Sequence, residues 1–317
     1  MVYDDNIKRK GIDVMSNVIL KINNLTKIYG TKTAVNNASF NVEKGKIYGF
    51  IGENGAGKTT TIRAITGLTT VEQGAVELFG ASDPKGLEAG RKKMGCLVEH
   101  PILSMKKTAF ENLKMQQLLF GQNDDKQIDK ILERVGLGDV KNKKAKDFSL
   151  GMKQRLGIAL ALIHNPEILI LDEPVNGLDP MGMVAVRELL RSLCNDDGIT
   201  IIISSHILAE LYQLVTDYII ISHGQIVETL SKEELDQKCT AYVIMETPNP
   251  EAAIKVLKQN GVQSYECSDK TIKIFDSYST DTIAQWMFDA NILVTMLMKY
   301  EKSLENHYME LLGRNVQ

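Results

Sequence analysis

Eight consecutive residues constrain this chain more than any other feature. Gly52-Glu53-Asn54-Gly55-Ala56-Gly57-Lys58-Thr59 fits G-x-x-x-x-G-K-[ST] at every defined position. A strand-like segment, Lys46–Ile51, enters the motif. Helical periodicity from Thr59 to Ile65 leaves it and stops at Gly67. Glycines let such a loop curl with its N–H groups inward, forming a nest for phosphate oxygens. The helix that follows adds the positive end of its dipole. Lys58 would reach terminal phosphates, the Thr59 hydroxyl would sit on Mg²⁺, and Thr60 extends the same set of contacts. An ordinary glycine-rich turn is the plain alternative, and the spacing and flanks argue against it.

A metal bound there needs a carboxylate. Ile168-Leu169-Ile170-Leu171-Asp172 is an apolar strand ending in an acid, which puts Asp172 at the strand edge where open sheets collect ligands. Glu173 follows directly and would polarise an attacking water. The phosphate loop and acidic strand alone leave GTPases, kinases, helicases and transport ATPases open.

Composition removes some classes. The 317 residues carry 37 Lys plus Arg against 40 Asp plus Glu, a net charge of −3. That balance lacks the basic surplus of a general nucleic-acid binder, so no nucleic-acid partner is expected. The longest apolar runs, Leu156–Ile163 and Ile168–Leu171, are far short of the ~20 residues a membrane helix needs. Cys96, Cys194, Cys239 and Cys267 form no C-x-x-C pair and read as reduced, buried thiols.

Strand-like segments (Val18–Ile22, Ala34–Val42, Ala75–Phe79, Cys96–Val98, Ile199–Ser204, Tyr218–Ser222) alternate with helical ones such as Met181–Leu193. That alternation implies an α/β core with a mainly parallel sheet. Residues 108–165 change to Leu, Met, Ile and Ala at helical spacing and read as a helical insert.

Further motifs stand in order around the phosphate loop. Phe148-Ser149-Leu150-Gly151-Met152-Lys153-Gln154-Arg155 precedes a helical stretch shortly before the acidic strand. With it, the chain resembles the ATP-binding subunits of ABC transporters over about residues 18–230. The resemblance implies a P-loop NTPase cassette with a helical subdomain at about 100–165. Tyr29 matches the aromatic that stacks on adenine, Glu99 falls at the Q-loop, Gly177-Leu178-Asp179 matches the D-loop, and His206 matches the switch histidine. It further implies ATP and Mg²⁺ as ligands, with Thr59, Asp172 and Glu99 at the metal. Lys58, Glu173 and His206 serve hydrolysis, while Ser149, Gly151 and Asp179 act across a dimer of cassettes. A separate membrane permease completes the assembly, on the cytoplasmic face of the membrane.

Two departures from the family pattern stand out. The Q-loop residue is an acid, Glu99. The signature has Leu150 for its first glycine and Met152 for its glutamine. Such departures resemble the bacitracin-resistance and lantibiotic-immunity subgroup, where the run SLGMKQR is common, as here from Ser149 to Arg155. Export of peptide antibiotics is the implied function. The alternatives are transport of another substrate, or a nucleotide-binding regulator with weak hydrolysis.

Residues 1–16 read as an N-terminal extension, expected to be disordered from their mixed charge and lack of an apolar stretch. The cassette is expected at 17–230 and an accessory α+β domain at 231–317. That last part reads βαββαβ, a ferredoxin-like order, with a final amphipathic helix at Leu304–Leu312.

Overall fold

The computed structural model describes residues 17–239 and 241–300; the N-terminal extension and the Leu304–Leu312 helix lie outside them. The chain divides into two compact units, residues 1–232 and 233–317. The division falls two residues beyond the boundary expected from the sequence.

The first unit opens with β1 (Val18–Tyr29), β2 (Lys32–Glu43) and β3 (Ile47–Ile51). It continues through α1 (Lys58–Thr66), β4 (Gln73–Leu78), α2 (Pro84–Arg91) and β5 (Met94–Leu97). Next come three helices, α3 (Ala109–Leu119), α4 (Asp125–Arg134) and α5 (Leu150–Leu162), with short 3-10 turns between the last two. They lie within the expected helical insert. The unit closes with β6 (Ile168–Asp172), α6 (Pro180–Asn195), β7 (Thr200–Ser205), α7 (Leu208–Tyr212), β8 (Asp217–Ser222) and β9 (Gln225–Ser231).

Two sheets result. The larger has the order β5-β6-β7-β3-β8-β9, parallel except for β9. Its inner strands β3, β6 and β7 are buried along their whole length, as continuous apolar runs require. The smaller, β2-β1-β4, is wholly antiparallel. A single mainly parallel sheet, the expectation from the sequence, is therefore only part of the unit. The core fills the space between the sheets: Phe40 and Val42 from one side, Tyr48, Phe50, Ile170 and Ile219 from the other, with Ile62 and Ile65 of α1.

Local chemistry sets the ends of the elements. Thr108 and Glu111 form a reciprocal capping box that starts α3. Asp83 and Asp179 cap α2 and α6, each followed by proline at the first helical position. Of the cysteines, only Cys194 is buried; Cys96 and Cys267 are exposed, against the expectation of four buried thiols.

The second unit begins within α8 (Lys232–Lys238) and goes on through β10 (Tyr242–Glu246), α9 (Pro250–Gln259), β11 (Tyr265–Ser268), β12 (Thr271–Ile274), α10 (Thr280–Asp289) and β13 (Met296–Tyr300). Its sheet has the order β11-β12-β10-β13 and every pair is antiparallel. Val243, Met245, Ile272 and Ile274 point to one face and pack with Ala253, Leu257, Ile283 and Met287 from the two helices.

Candidate nucleotide site

The strand order explains how residues more than a hundred positions apart meet. β6, β7 and β3 are neighbours and parallel, so their C-terminal ends lie side by side. The loop after β3 carries the phosphate motif, β6 ends at Asp172, and β7 ends at Ser205 just before His206.

The motif is held in the shape a nest requires. Gly55 and Gly57 have φ of +82° and +112°, backbone that side chains rarely adopt. Gly57 is also the residue from which α1 starts. A Cβ there would meet the Ala34 carbonyl oxygen at 2.7 Å, so glycine is required for space as well as conformation. The first amides of α1 have no intrahelical acceptor and face the loop's end. Lys58 is 6% exposed, and its ammonium donates to the Gly52 carbonyl at 2.6 Å and the Glu53 carbonyl at 3.3 Å. It also lies 3.3 Å from the Glu173 carboxylate.

Thr59 donates its hydroxyl to Asp172 Oδ2 at 2.8 Å. Ser204 donates its hydroxyl to Asp172 Oδ1 and accepts the Glu173 N–H at 2.9 Å. Asp172 and Ser204 are fully buried, so this network keeps its full electrostatic strength. Glu173 Oε2 lies 3.0 Å from His206 Nδ1. The Glu173 backbone has φ of +50°, and this turn lets Asp172 stay in the sheet while Glu173 faces Lys58 and His206. Thr59 and Asp172 form a hard oxygen pair of the kind Mg²⁺ prefers, which phosphate and water would complete.

Thr59, Asp172 and Glu173 share one cavity of about 440 Å³ with Glu99, Leu150, Lys153 and Gln154. Glu99 reaches this cavity with φ of +64°, and its carboxylate is taken by the Arg63 guanidinium. Tyr29 ends β1 with 46% of its surface exposed. Lys27 lies over the ring, 5.0 Å from its centroid, and is held by Glu72 at 2.8 Å. Lys27, then the Ile28 N–H, holds the Glu72 carboxyl below its usual range, so this anchor stays charged. β2 starts three residues after Tyr29 and brings Ala34 against the phosphate loop.

Ser149 and Asp179 serve as helix caps, accepting from the amides of Met152 and Gly182. Gly151 lies beside Leu178, and Gly177 beside Leu150, so the two segments adjoin one another. Among the described residues of one chain, no hydrogen bond joins Ser149 or Asp179 to Lys58, Thr59 or Asp172. Two residues of the site were not anticipated from the sequence. Ser204 is signalled only by a hydroxyl residue ending an otherwise apolar strand, and Arg63 only by a cation one turn beyond Lys58.

Comparison with known proteins agrees with this geometry. Residues 35–176 match the ABC transporter family model. The chain belongs to that family, as an ATP-binding subunit. It is similar to the bacitracin transport ATP-binding protein BcrA of Bacillus licheniformis, with 40% identity over 93% of this chain and 97% of that protein. The lantibiotic transport ATP-binding protein SrtF of Streptococcus pyogenes is 44% identical over 68% of this chain and 91% of its own. Among solved structures, a dimeric ATP-binding cassette in a post-hydrolysis state with ADP and Pi superposes with a TM-score of 0.61, at 26% identity. That match covers 68% of this chain and 99% of the other.

Proposed function

We propose that the chain hydrolyses ATP with Mg²⁺ to drive a separate permease that exports peptide antibiotics, as the names of its bacitracin and lantibiotic relatives suggest. The observation that carries the hydrolytic part is the hydrogen-bonded set Thr59–Asp172–Ser204–Glu173 at the mouth of the phosphate loop.

In this reading the loop amides, Gly52 to Thr60, and Lys58 hold the phosphates. Thr59 and Asp172 hold Mg²⁺, which would neutralise phosphate charge. Glu173 accepts a proton from the attacking water, and His206 orients that carboxylate and the terminal phosphate. Tyr29, 46% exposed and with Lys27 over its ring, stacks on the base. Ser149, Gly151 and Asp179 complete the site of a second copy; within one chain Ser149 and Asp179 cap their own helices instead. The dimer is formed with an identical or a related cassette.

No described helix is long and apolar enough to cross a membrane. The permease supplies the passage, and we place the protein on it at the cytoplasmic face. A cavity of about 550 Å³ beside the Glu99 loop suits its docking segment. The lining includes Pro101, Ile102, Phe120, Leu160 and His164, with Ile102 96% exposed. His164 stacks on Phe120 at 4.3 Å, and burial pushes its pKa down, which keeps that wall uncharged.

The second unit's strand order and wholly antiparallel pairing support a ferredoxin-like domain. The BcrA match covers 93% of the chain, more than residues 1–232 can contain, so it extends into this unit; the SrtF match need not. That difference favours the bacitracin-type reading.

Cells losing this chain should become more sensitive to bacitracin within a panel of peptide antibiotics, measured as inhibitory concentration. No change across the panel would overturn the exporter assignment while leaving the ATPase intact. Removing residues 233–317 should leave ATP binding within about twofold, since that unit has its own core. Loss of soluble folded protein would show instead that the cassette depends on it.

A further inference from the structure

Three carboxylates, Glu99, Asp172 and Glu173, line one cavity with Thr59. Asp172 and Glu173 have assigned work at the metal and the water, and the resemblance sets Glu99 at the metal as well. The charge of Glu99 is an addition, because its place in the motif order belongs to a neutral glutamine in the family pattern. Polyphosphate entering this cavity meets that extra negative charge at short range, well within the Debye length at low salt.

The structure shows what offsets it. Arg63 stands on α1, five residues after Lys58, and its guanidinium is ion-paired with Glu99. Glu99 sits in left-handed backbone at φ +64°, one residue before His100 and two before Pro101. Both side chains are partly exposed, 41% and 56%, so the pair adds little to folding stability. Its effect lies in where the charge goes. The arginine is rooted in the same helix whose N-terminus faces the phosphates, so it holds the loop acid to the phosphate-binding element and cancels its field there.

We propose that Arg63 is a positioning residue that neutralises Glu99 and so makes an acidic Q-loop compatible with nucleotide binding. The proposal rests on the phosphate-site reading above. It applies to the anionic nucleotide itself, before any metal ion arrives.

The test uses the full chain and a fluorescent ATP analogue titrated in EDTA, so that no divalent ion compensates the charge. Arg63→Ala should weaken binding about three- to tenfold at low salt, and the deficit should shrink toward nothing near 1 M salt. Arg63→Lys should bind within about twofold of the parent, since a cation is retained. In a Glu99→Gln background, Arg63→Ala should have no further effect. An equal loss in both backgrounds would overturn the proposal, because Arg63 would then act on the nucleotide or the fold directly. So would full affinity in Arg63→Ala with Glu99 intact. Thermal unfolding midpoints identify a folding defect, and for an unfolded Arg63→Ala the Arg63→Gln variant replaces it in both backgrounds under the same criteria. Lys58→Ala serves as the separating control: if it too binds normally, the phosphate site is wrong, whereas if it alone fails, the charge pairing is wrong.

Discussion

Glu173→Gln should bind ATP as the parent does and hydrolyse it about 10²- to 10⁴-fold more slowly, the usual contribution of a positioned base. The amide keeps the size and shape of the carboxylate. Its oxygen can still accept from Lys58, 3.3 Å from one carboxylate oxygen in the parent, while its NH₂ takes the place of the oxygen that lies 3.0 Å from His206. What it loses is the ability to take a proton. With phosphate contacts intact and the water inactive, nucleotide should accumulate and hold two cassettes together. Phosphate release checks the first expectation, and size-exclusion chromatography with ATP checks the second. Parental turnover in this variant would remove Glu173 from the proton-accepting role.

Lys58→Ala should lower nucleotide affinity about 30- to 100-fold, in line with losing charge-assisted hydrogen bonds in a shielded site. The ammonium has two tasks. It would meet the phosphates, and in the protein itself it fastens the loop by holding the Gly52 and Glu53 carbonyls. Its removal also takes one of the two cationic or polar partners from Glu173. Hydrolysis should fall below detection. A nucleotide titration that matched the parent would mean phosphate binds elsewhere.

The site was legible in the sequence to the extent that its chemistry is local. The phosphate loop, the acid-tipped strand and the helix stop at Gly67 each depend on a few adjacent residues. What escaped needs three dimensions. Ser204 matters because β7 lies between β3 and β6, a fact of strand order that no spacing reveals. Arg63 matters because a loop 36 residues later folds against α1. Among the elements, α2 escaped because Gly86 and Gly90 break its short apolar pattern, although Asp83-Pro84 marks its start. β9 escaped as an edge strand, whose residues are mostly half-exposed and carry little apolar contrast. The antiparallel sheet was hidden for a different reason: β1 and β2 are each 12 residues, with irregular register that interrupts simple alternation.

Glu99 and Glu173 share a feature that bears on how this protein can change over time. Both are acids held at positive φ, +64° and +50°, where a residue with a Cβ sits at a cost of about 1–2 kcal/mol. Glycine at either position would relax the backbone and strip the carboxylate in the same step. At Glu173, screens that reward thermal stability alone would therefore drift toward inactive cassettes. A strained catalytic acid of this kind marks where selection has favoured activity over robustness.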